Sequence, residues 1–221
     1  VESIDRGVGR ILAAVDRARI ADDTLVIFTN DNGGEWLSRN APLFNRKWTV
    51  WEGGIRVPAI FRWPGHLPRG RVSPQVGVTM DLTATILAAA GISPGADARL
   101  EGIDLLPLLA GRTPAVSRTL YWRTNVGSRT MRAIRSGDWK LVVDSNHQFV
   151  FNLRDDMAER HDLTSARPDV AGRLRPQLAR WEQDVDGEAE RTVPDFVRLV
   201  RALPGYVGGA QGGGRRAVPV P

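Results

Sequence analysis

The chain has 221 residues, 42% hydrophobic and 25% charged, enough to bury the core of one or two globular domains. Its net charge of +5 is carried by cations scattered along the chain, which favours a solvated surface and predicts no nucleic-acid partner. The absence of cysteine excludes disulfides, thiolate metal sites and cysteine nucleophiles from this segment, and no apolar run approaches the roughly 18 residues of a membrane span.

The first half of the chain alternates helical and strand patterns. Apolar residues at a spacing of 3.6 predict an amphipathic helix over residues 3–18. Thr24–Thr29 is a short apolar run of the kind that a parallel sheet buries on both faces. Residues 30–53 lack periodicity and are predicted to form a long loop, and loops of that length tend to be functional. Ile55–Trp63 is a second predicted strand.

The second half changes from helices to short strands. Met80–Ala90 is predicted to be a helix that ends at Gly91, and a short apolar turn follows at 105–109. Four short strands are then predicted to form an antiparallel meander, at residues 119–123, 130–135, 141–144 and 149–153. Pro168–Val185 is predicted to be a helix, in which Pro176 should cause a kink or cost about 3 kcal/mol.

Asp31 and Asn32 follow the first predicted strand directly. Ligands of open α/β sheets gather outside the carboxyl ends of the strands. A carboxylate beside an amide carbonyl offers hard oxygen ligands suited to Ca²⁺ or Mg²⁺. The alternative is a plain turn, because Asn-Gly favours turns whatever the function. Two ligands are too few for a metal site, so any others would come from elsewhere.

Lys47 is a lone lysine in the long loop. It is either a solvated surface residue or a compact charge that stabilises a developing oxyanion. Trp48 and Trp51 are candidates for the wall of a substrate pocket, with packing in a core or loop as the alternative. Glu52 and Arg56 are equally ambiguous.

Other catalytic patterns are missing. His66, His147 and His161 have no metal-ligand spacing. The sequence contains no Gly-x-Ser-x-Gly elbow, no phosphate-binding glycine loop and no His-Glu-x-x-His. Taken from the residues alone, the chain is an α/β domain with a cation and oxyanion site, followed by a small α+β domain.

Four blocks in order give this chain a resemblance to the sulfatase family, arylsulfatase-like members of the alkaline-phosphatase-like superfamily. Thr24–Gly34 resembles the family's strand followed by Asp-Asn-Gly. Pro42–Pro58 resembles its Lys…Glu-Gly-Gly-Ile-Arg-Val-Pro block. Asp81–Gly91 with Leu100–Gly111 is similar to its Leu-Ala-Gly and Pro-Leu-Leu segments, and Arg132–Leu163 followed by Trp181 is similar to its carboxyl-terminal subdomain. The chain is thereby identified as the carboxyl-terminal portion of a sulfatase.

The resemblance implies a fold and a domain division. The fold is α/β: the carboxyl-terminal part of an alkaline-phosphatase-like sheet sandwiched by helices, then a small α+β subdomain with an antiparallel sheet and a helix. Residues 1–115 would belong to the catalytic α/β domain and 116–203 to the subdomain. Residues 204–221, rich in Gly, Pro and Arg, would be a disordered tail.

The resemblance also implies a reaction, the metal-dependent cleavage of a sulfate ester to an alcohol or phenol plus sulfate. Asp31 and Asn32 would be ligands of the active-site Ca²⁺, with Mg²⁺ as the alternative metal. Lys47 would contact the sulfate group. The nucleophile would be a formylglycine made from a Cys/Ser-x-Pro-x-Arg motif, and the partner a small-molecule or carbohydrate sulfate ester.

This chain departs from the family pattern in three ways. It contains no Cys/Ser-x-Pro-x-Arg motif, and it begins at Val1. We therefore expect a piece of a longer protein that does not turn over substrate alone, with its compartment and oligomeric state open. Bulky Arg46 and Trp48 flank Lys47 where the family has small residues. The alternatives are a phosphomonoester or phosphonate-ester hydrolase of the same superfamily, and a truncated, non-catalytic remnant.

Overall fold

The structure is a computed structural model that describes residues 1–95 and 98–192, with side chains described as far as residue 188. The predicted tail at 204–221 lies outside these residues. No helix in the described ranges is both long and apolar enough to span a membrane.

The described chain contains five helices and six strands. They are α1 (Glu2–Arg17), β1 (Val26–Thr29), α2 (Glu52–Ile55), β2 (Ala59–Arg62), α3 (Thr79–Ala89), α4 (Leu106–Leu109), β3 (Thr119–Val126), β4 (Arg129–Ser136), β5 (Trp139–Asp144), β6 (His147–Asn152) and α5 (Pro168–Thr192). Every predicted helix and strand is present, whereas the single turn α2 was not predicted.

These elements belong to two compact units. The first unit consists of residues 1–34 and 55–118, and the second of residues 35–54 together with the chain from residue 119 onwards. The long loop is therefore divided between the units, and most of it belongs to the second. The predicted domain limits at residues 115 and 203 stay predictions.

The two strands of the first unit pair antiparallel, with Val26 opposite Arg62 and Thr29 opposite Ala59. The prediction that β1 belongs to a parallel sheet and is buried on both faces is therefore not met in the described part of the chain. All four residues of β1 are half-buried. The reason is that an apolar run predicts a strand but does not specify which strand pairs with it. The partner here is β2, about 30 residues further along the chain.

A buried carboxylate fixes the start of α3. Asp81, with 0% of its surface exposed, accepts hydrogen bonds from the backbone N–H groups of Val78 at 2.8 Å and Ile103 at 2.9 Å. Arg118 adds two more at 2.5 and 2.8 Å. Burial raises the pKa of Asp81, but these bonds outweigh it and hold the pKa below its usual value. Gly91, with φ of 68°, ends the helix as predicted.

The second unit is an antiparallel meander in the order β3-β4-β5-β6, which confirms the prediction. Side chains alternate between its two faces. One face carries Ile134, Leu141, Val143 and Val150, which pack against α5 through a cluster completed by Val170, Ala171, Leu174 and Leu178. The rings of Tyr121 and Trp181 stack 5.2 Å apart at the edge of this cluster.

The other face of the meander holds the end of the long loop. Val50 and Trp51 pack there against Met131, Ala133, Val142, Phe151 and Leu153. The Trp51 ring lies 5.3 Å from Phe149 and 5.6 Å from Phe151 between ring centres. This second core anchors the segment that carries Lys47.

The helix α5 continues through Pro176 for 25 residues. Proline removes the hydrogen bond to the carbonyl of Gly172. Both residues are exposed, so water can hydrate the carbonyl that is left without a partner. This hydration explains why the hydrogen bond lost at Pro176 does not terminate the helix.

Candidate functional site

Asp31 and Asn32 lie directly after β1 in the first unit. Thr29 ties the end of this strand to the chain before β2, because its hydroxyl donates a 3.0 Å hydrogen bond to the carbonyl of Pro58. Asp31 is exposed, and its carboxylate has no hydrogen-bond or ion-pair partner among the described residues. Asn32 is half-buried, and its Nδ2 donates to the carbonyl of Gly33 at 2.8 Å.

This arrangement suits a hard cation. The bond to Gly33 uses the amide nitrogen of Asn32 and leaves the Oδ1 carbonyl as an acceptor, while the carboxylate of Asp31 is available beside it. Ca²⁺ takes six to eight oxygen ligands. In the described parts of the chain no group of three or more His, Cys, Asp or Glu side chains could hold a metal. The two residues thus offer oxygen ligands of the type that Ca²⁺ takes, and the described residues hold no complete ligand set around them.

Lys47 lies in the second unit, in a loop that rests on two glycines. The N–H of Gly53 donates to the carbonyl of Phe44 at 2.7 Å, and a Cβ at Gly53 would come closer than 3.0 Å to the carbonyls of Phe44 and Asn45. A Cβ at Gly54 would clash in the same way with Thr49 and with the carbonyl of Arg46. Only glycine lets the loop approach α2 this closely.

The side chain of Lys47 is half-buried and carries an unneutralised charge. Its Nζ lies 5.1 Å from the centre of the Trp48 ring, and it has no carboxylate within ion-pair distance in the described part of the chain. The sequence contains only two lysines, Lys47 and Lys140. A half-buried cation without a counter-ion is suited to bind an anion.

The neighbouring cation is neutralised by Glu35. Arg46 donates to Glu35 Oε1 at 2.9 Å, and the indole N–H of Trp48 donates to Glu35 Oε2 at 3.0 Å. Desolvation raises the pKa of Glu35, but the hydrogen bonds from Trp36 and Trp48 together with the charge of Arg46 bring it below its usual value. Glu35 thus stays ionised and fixes both residues that flank Lys47.

The second lysine has a different environment. Lys140, with 0% of its surface exposed, donates to Glu52 Oε1 at 2.8 Å and lies 2.8 Å from Glu159 Oε1. Glu159 also accepts a 2.7 Å hydrogen bond from the backbone N–H of Glu52. Burial raises the pKa of Glu159 and outweighs the attraction of Lys140. This buried cluster ties α2, and with it the glycines under the Lys47 loop, to β5.

The remaining candidate residues divide into packing and surface roles. Trp51 is 5% exposed and belongs to the core, whereas Trp48 is 57% exposed. Glu52 is a buried structural residue. All three histidines are exposed, and His66 stacks on Trp63 at 3.9 Å between ring centres.

The structure brings Asp31 and Asn32 together in the first unit and places Lys47 in the second. Their roles as metal ligands and sulfate contact stay predictions. Sequence analysis missed Glu35 and the pair Lys140 and Glu159. A lysine followed by three apolar residues in β5 was a usable signal for a buried ion pair, whereas nothing local marked Glu35.

Comparison with known proteins points to one family. The sulfatase family profile matches residues 1–92. N-acetylgalactosamine-6-sulfatase of Canis lupus familiaris is 40% identical over 146 residues, which cover 63% of this chain and 27% of the relative. Arylsulfatase H of Homo sapiens is 41% identical over 122 residues, covering 51% of this chain and 22% of the relative.

Solved structures share the fold of this chain. The crystal structure of Ps i-CgsB in complex with k-i-k-neocarrahexaose matches with a TM-score of 0.76 and 28% identity, covering 89% of this chain and 47% of that chain. The chain spans about a quarter of the length of the curated relatives it matches. Over the matched residues the chain is similar to sulfatases, and it shares the alkaline-phosphatase-like fold of its structural neighbours.

Proposed function

We propose that this chain supplies the sulfate-binding cation and two metal ligands of a sulfuric ester hydrolase. The observation that carries the proposal is Lys47, a half-buried cation without a carboxylate partner in the described residues. It lies within the stretch that matches the sulfatase family, residues 1–92. The loop that holds it depends on Gly53 and Gly54 for its close approach to α2.

Lys47 would bind a sulfate oxygen through its ammonium group. Because the cation is already partly desolvated and held by the loop, little reorganisation is needed when negative charge develops on the sulfate during cleavage. A compact ammonium also suits a single oxygen better than a planar guanidinium does.

The charges next to Lys47 largely cancel. Glu35 neutralises Arg46, so these two residues and Lys47 carry one net positive charge. A sulfate monoester carries one negative charge, whereas a phosphate monoester carries close to two at neutral pH.

Asp31 and Asn32 would hold Ca²⁺, or Mg²⁺ in its place, through the carboxylate and the Oδ1 carbonyl. When bound, such a metal polarises the oxygens of the ester group. Neither side chain has an ion-pair partner in the described residues that the metal would have to displace. Because no Cys/Ser-x-Pro-x-Arg motif occurs in these 221 residues, we expect the segment to bind substrate and not to hydrolyse it.

The relatives support a small-molecule or carbohydrate sulfate ester as the substrate. One is named for the 6-sulfate of N-acetylgalactosamine, another is an arylsulfatase, and a matching structure holds k-i-k-neocarrahexaose. We carry these classes over to this chain as part of the proposal.

Calorimetric titration of the 221-residue chain with sodium sulfate, with and without Ca²⁺, tests the assignment. Replacing Lys47 by Met should weaken sulfate binding at least tenfold, because a charge-assisted hydrogen bond contributes about 1.5–3 kcal/mol. Arg39→Met is the matched control, since Arg39 is an exposed cation of the same unit, and should change the affinity less than twofold. Asp31→Asn should weaken the binding of Ca²⁺ to the chain, measured in a separate titration with CaCl₂.

Other outcomes would change the assignment. Phosphate that binds much more tightly than sulfate, in a manner that depends on Lys47, would move the proposal to phosphate esters. Equal losses in Lys47→Met and Arg39→Met would mean that the chain attracts anions only through its net charge, which would refute a built sulfate site.

A further inference from the structure

Trp48 is an exposed aromatic residue in a strained backbone conformation. Its φ is 72°, in the left-handed region that bulky side chains rarely adopt, and 57% of its surface is exposed. Such a conformation costs about 1–3 kcal/mol and persists where the surrounding structure imposes it, often at functional sites. Three residues later, Trp51 is buried in the core, so packing of the core does not require Trp48.

The Trp48 ring is held in place from one edge. Its indole N–H donates to Glu35 Oε2 at 3.0 Å, and Glu35 Oε1 accepts from Arg46. The guanidinium of Arg46 lies 3.5 Å from the centre of the Trp36 ring. These contacts fix the orientation of Trp48 while leaving more than half of its surface open.

The position of Lys47 adds the second feature of a ligand site. Its Nζ lies 5.1 Å from the centre of the Trp48 ring. An oxyanion oxygen bonded to an ammonium lies about 2.8 Å from the nitrogen. An ester whose sulfate binds Lys47 can therefore present its organic group to the neighbouring indole ring.

We propose that Trp48 is a stacking platform for the ring of the substrate, so that this site selects sulfate esters of ring-bearing alcohols or phenols over acyclic esters. The inference rests on the proposed function, because it takes Lys47 as the sulfate contact. An indole face packs equally well against the apolar face of a sugar ring and against an aromatic ring. Glu35 acts as a positioning residue that orients the platform.

The test uses the 221-residue chain and four ligands, namely inorganic sulfate, ethyl sulfate, 4-nitrophenyl sulfate and glucosamine 6-sulfate. Calorimetry should show that the wild type binds at least one ring-bearing ester about tenfold more tightly than ethyl sulfate. This is the gain in affinity that one aromatic contact typically provides. Trp48→Gly tolerates the positive φ and should reduce this ratio to about one, with inorganic sulfate affinity unchanged within twofold. Trp48→Phe should restore most of the ratio.

Leu37→Gly is the matched control, because Leu37 is also an exposed residue with a positive φ in the same segment, and it should keep the preference for rings. The two ring-bearing ligands distinguish a sugar from an aryl substrate. A wild type without any preference for rings, or a Trp48→Gly variant that loses inorganic sulfate as strongly as ring esters, would overturn the stacking role. Unchanged sulfate binding in Lys47→Met would instead refute the proposed function, on which the stacking role rests.

Discussion

At the scale of single residues, the two lysines of this chain differ in whether neighbouring carboxylates neutralise their charge. Lys47 has no carboxylate partner in the described residues, while Lys140 lies between two buried carboxylates. Removing one partner from a buried ion-pair cluster leaves an uncompensated charge, which costs far more than the cluster contributes. The neutral variants of these two residues should therefore affect different properties, ligand binding for Lys47 and folding for Lys140.

Replacing Lys140 by Met should lower the free energy of unfolding by about 3–5 kcal/mol at pH 7. Glu159 already has a raised pKa because of burial, and loss of Lys140 removes an attraction that opposes this. A raised pKa in the folded state contributes stability at low pH that is lost as the pH rises through it. The deficit of the variant should therefore shrink as the pH falls through the raised pKa of Glu159 and be smallest below about pH 4.5, the ordinary pKa of glutamate.

Urea unfolding of both proteins between pH 4 and pH 8 measures this difference. Arg39→Met, which removes an exposed cation, should cost less than about 0.5 kcal/mol. A deficit for Lys140→Met that stays constant with pH would contradict the assignment of Glu159 as the group that titrates.

At the scale of elements, the loop 44–49 and the turn α2 form one packed piece. Gly53 and Gly54 let backbone carbonyls of the loop lie where a side chain would otherwise stand. The buried cluster of Lys140, Glu52 and Glu159 attaches the same turn to β5. The position of Lys47 thus depends on residues that never touch a ligand.

Gly53→Ala should weaken sulfate binding about as much as Lys47→Met and also lower the free energy of unfolding by about 1–3 kcal/mol, because the added methyl group collides with backbone atoms. Gly172→Ala in α5 is the matched control. A Cβ at Gly172 meets no atom within 4 Å, so this variant should gain about 0.4–1 kcal/mol and bind sulfate normally. Unchanged binding in Gly53→Ala would show that the loop does not position Lys47.

Local pattern was enough to predict the elements and insufficient to predict their partners. Periodicity identified α1, the meander and α5 because their signals lie within one segment. Other features depend on tertiary contacts between residues that are far apart in the sequence. They are the antiparallel partner of β1 and the contact between Glu52 and Lys140, which are 88 residues apart. Asp31, Asn32 and Lys47 were selected by resemblance, and their chemical roles stay predictions.

At the scale of the whole molecule, apolar surface in the first unit is left uncovered. Ile4 and Ile11 on α1 are 61% and 60% exposed, and Ile60 in β2 is 59% exposed. None of the residues of α1 is buried. Exposed apolar surface on one face of a helix is a common site of association between proteins.

We expect the 221-residue chain to bind the dye ANS in its folded state, because the apolar face of α1 is open. A double replacement of Ile4 and Ile11 by Gln should reduce ANS fluorescence and shift the melting temperature by less than about 4 °C, the effect of roughly 1 kcal/mol in a chain of this size. Glutamine preserves helix propensity. A drop of 10 °C or more would show that these side chains are packed.

The most direct test of the central claim, that Lys47 binds the sulfate group, is NMR of the chain labelled with ¹³C and ¹⁵N at the lysine side chains. Only two lysine signals occur, and the buried Lys140 serves as an internal reference. Titration with sulfate at constant ionic strength should move the Lys47 signal to saturation and leave Lys140 in place. A Lys47 signal that sodium sulfate shifts no more than sodium chloride does would contradict the account.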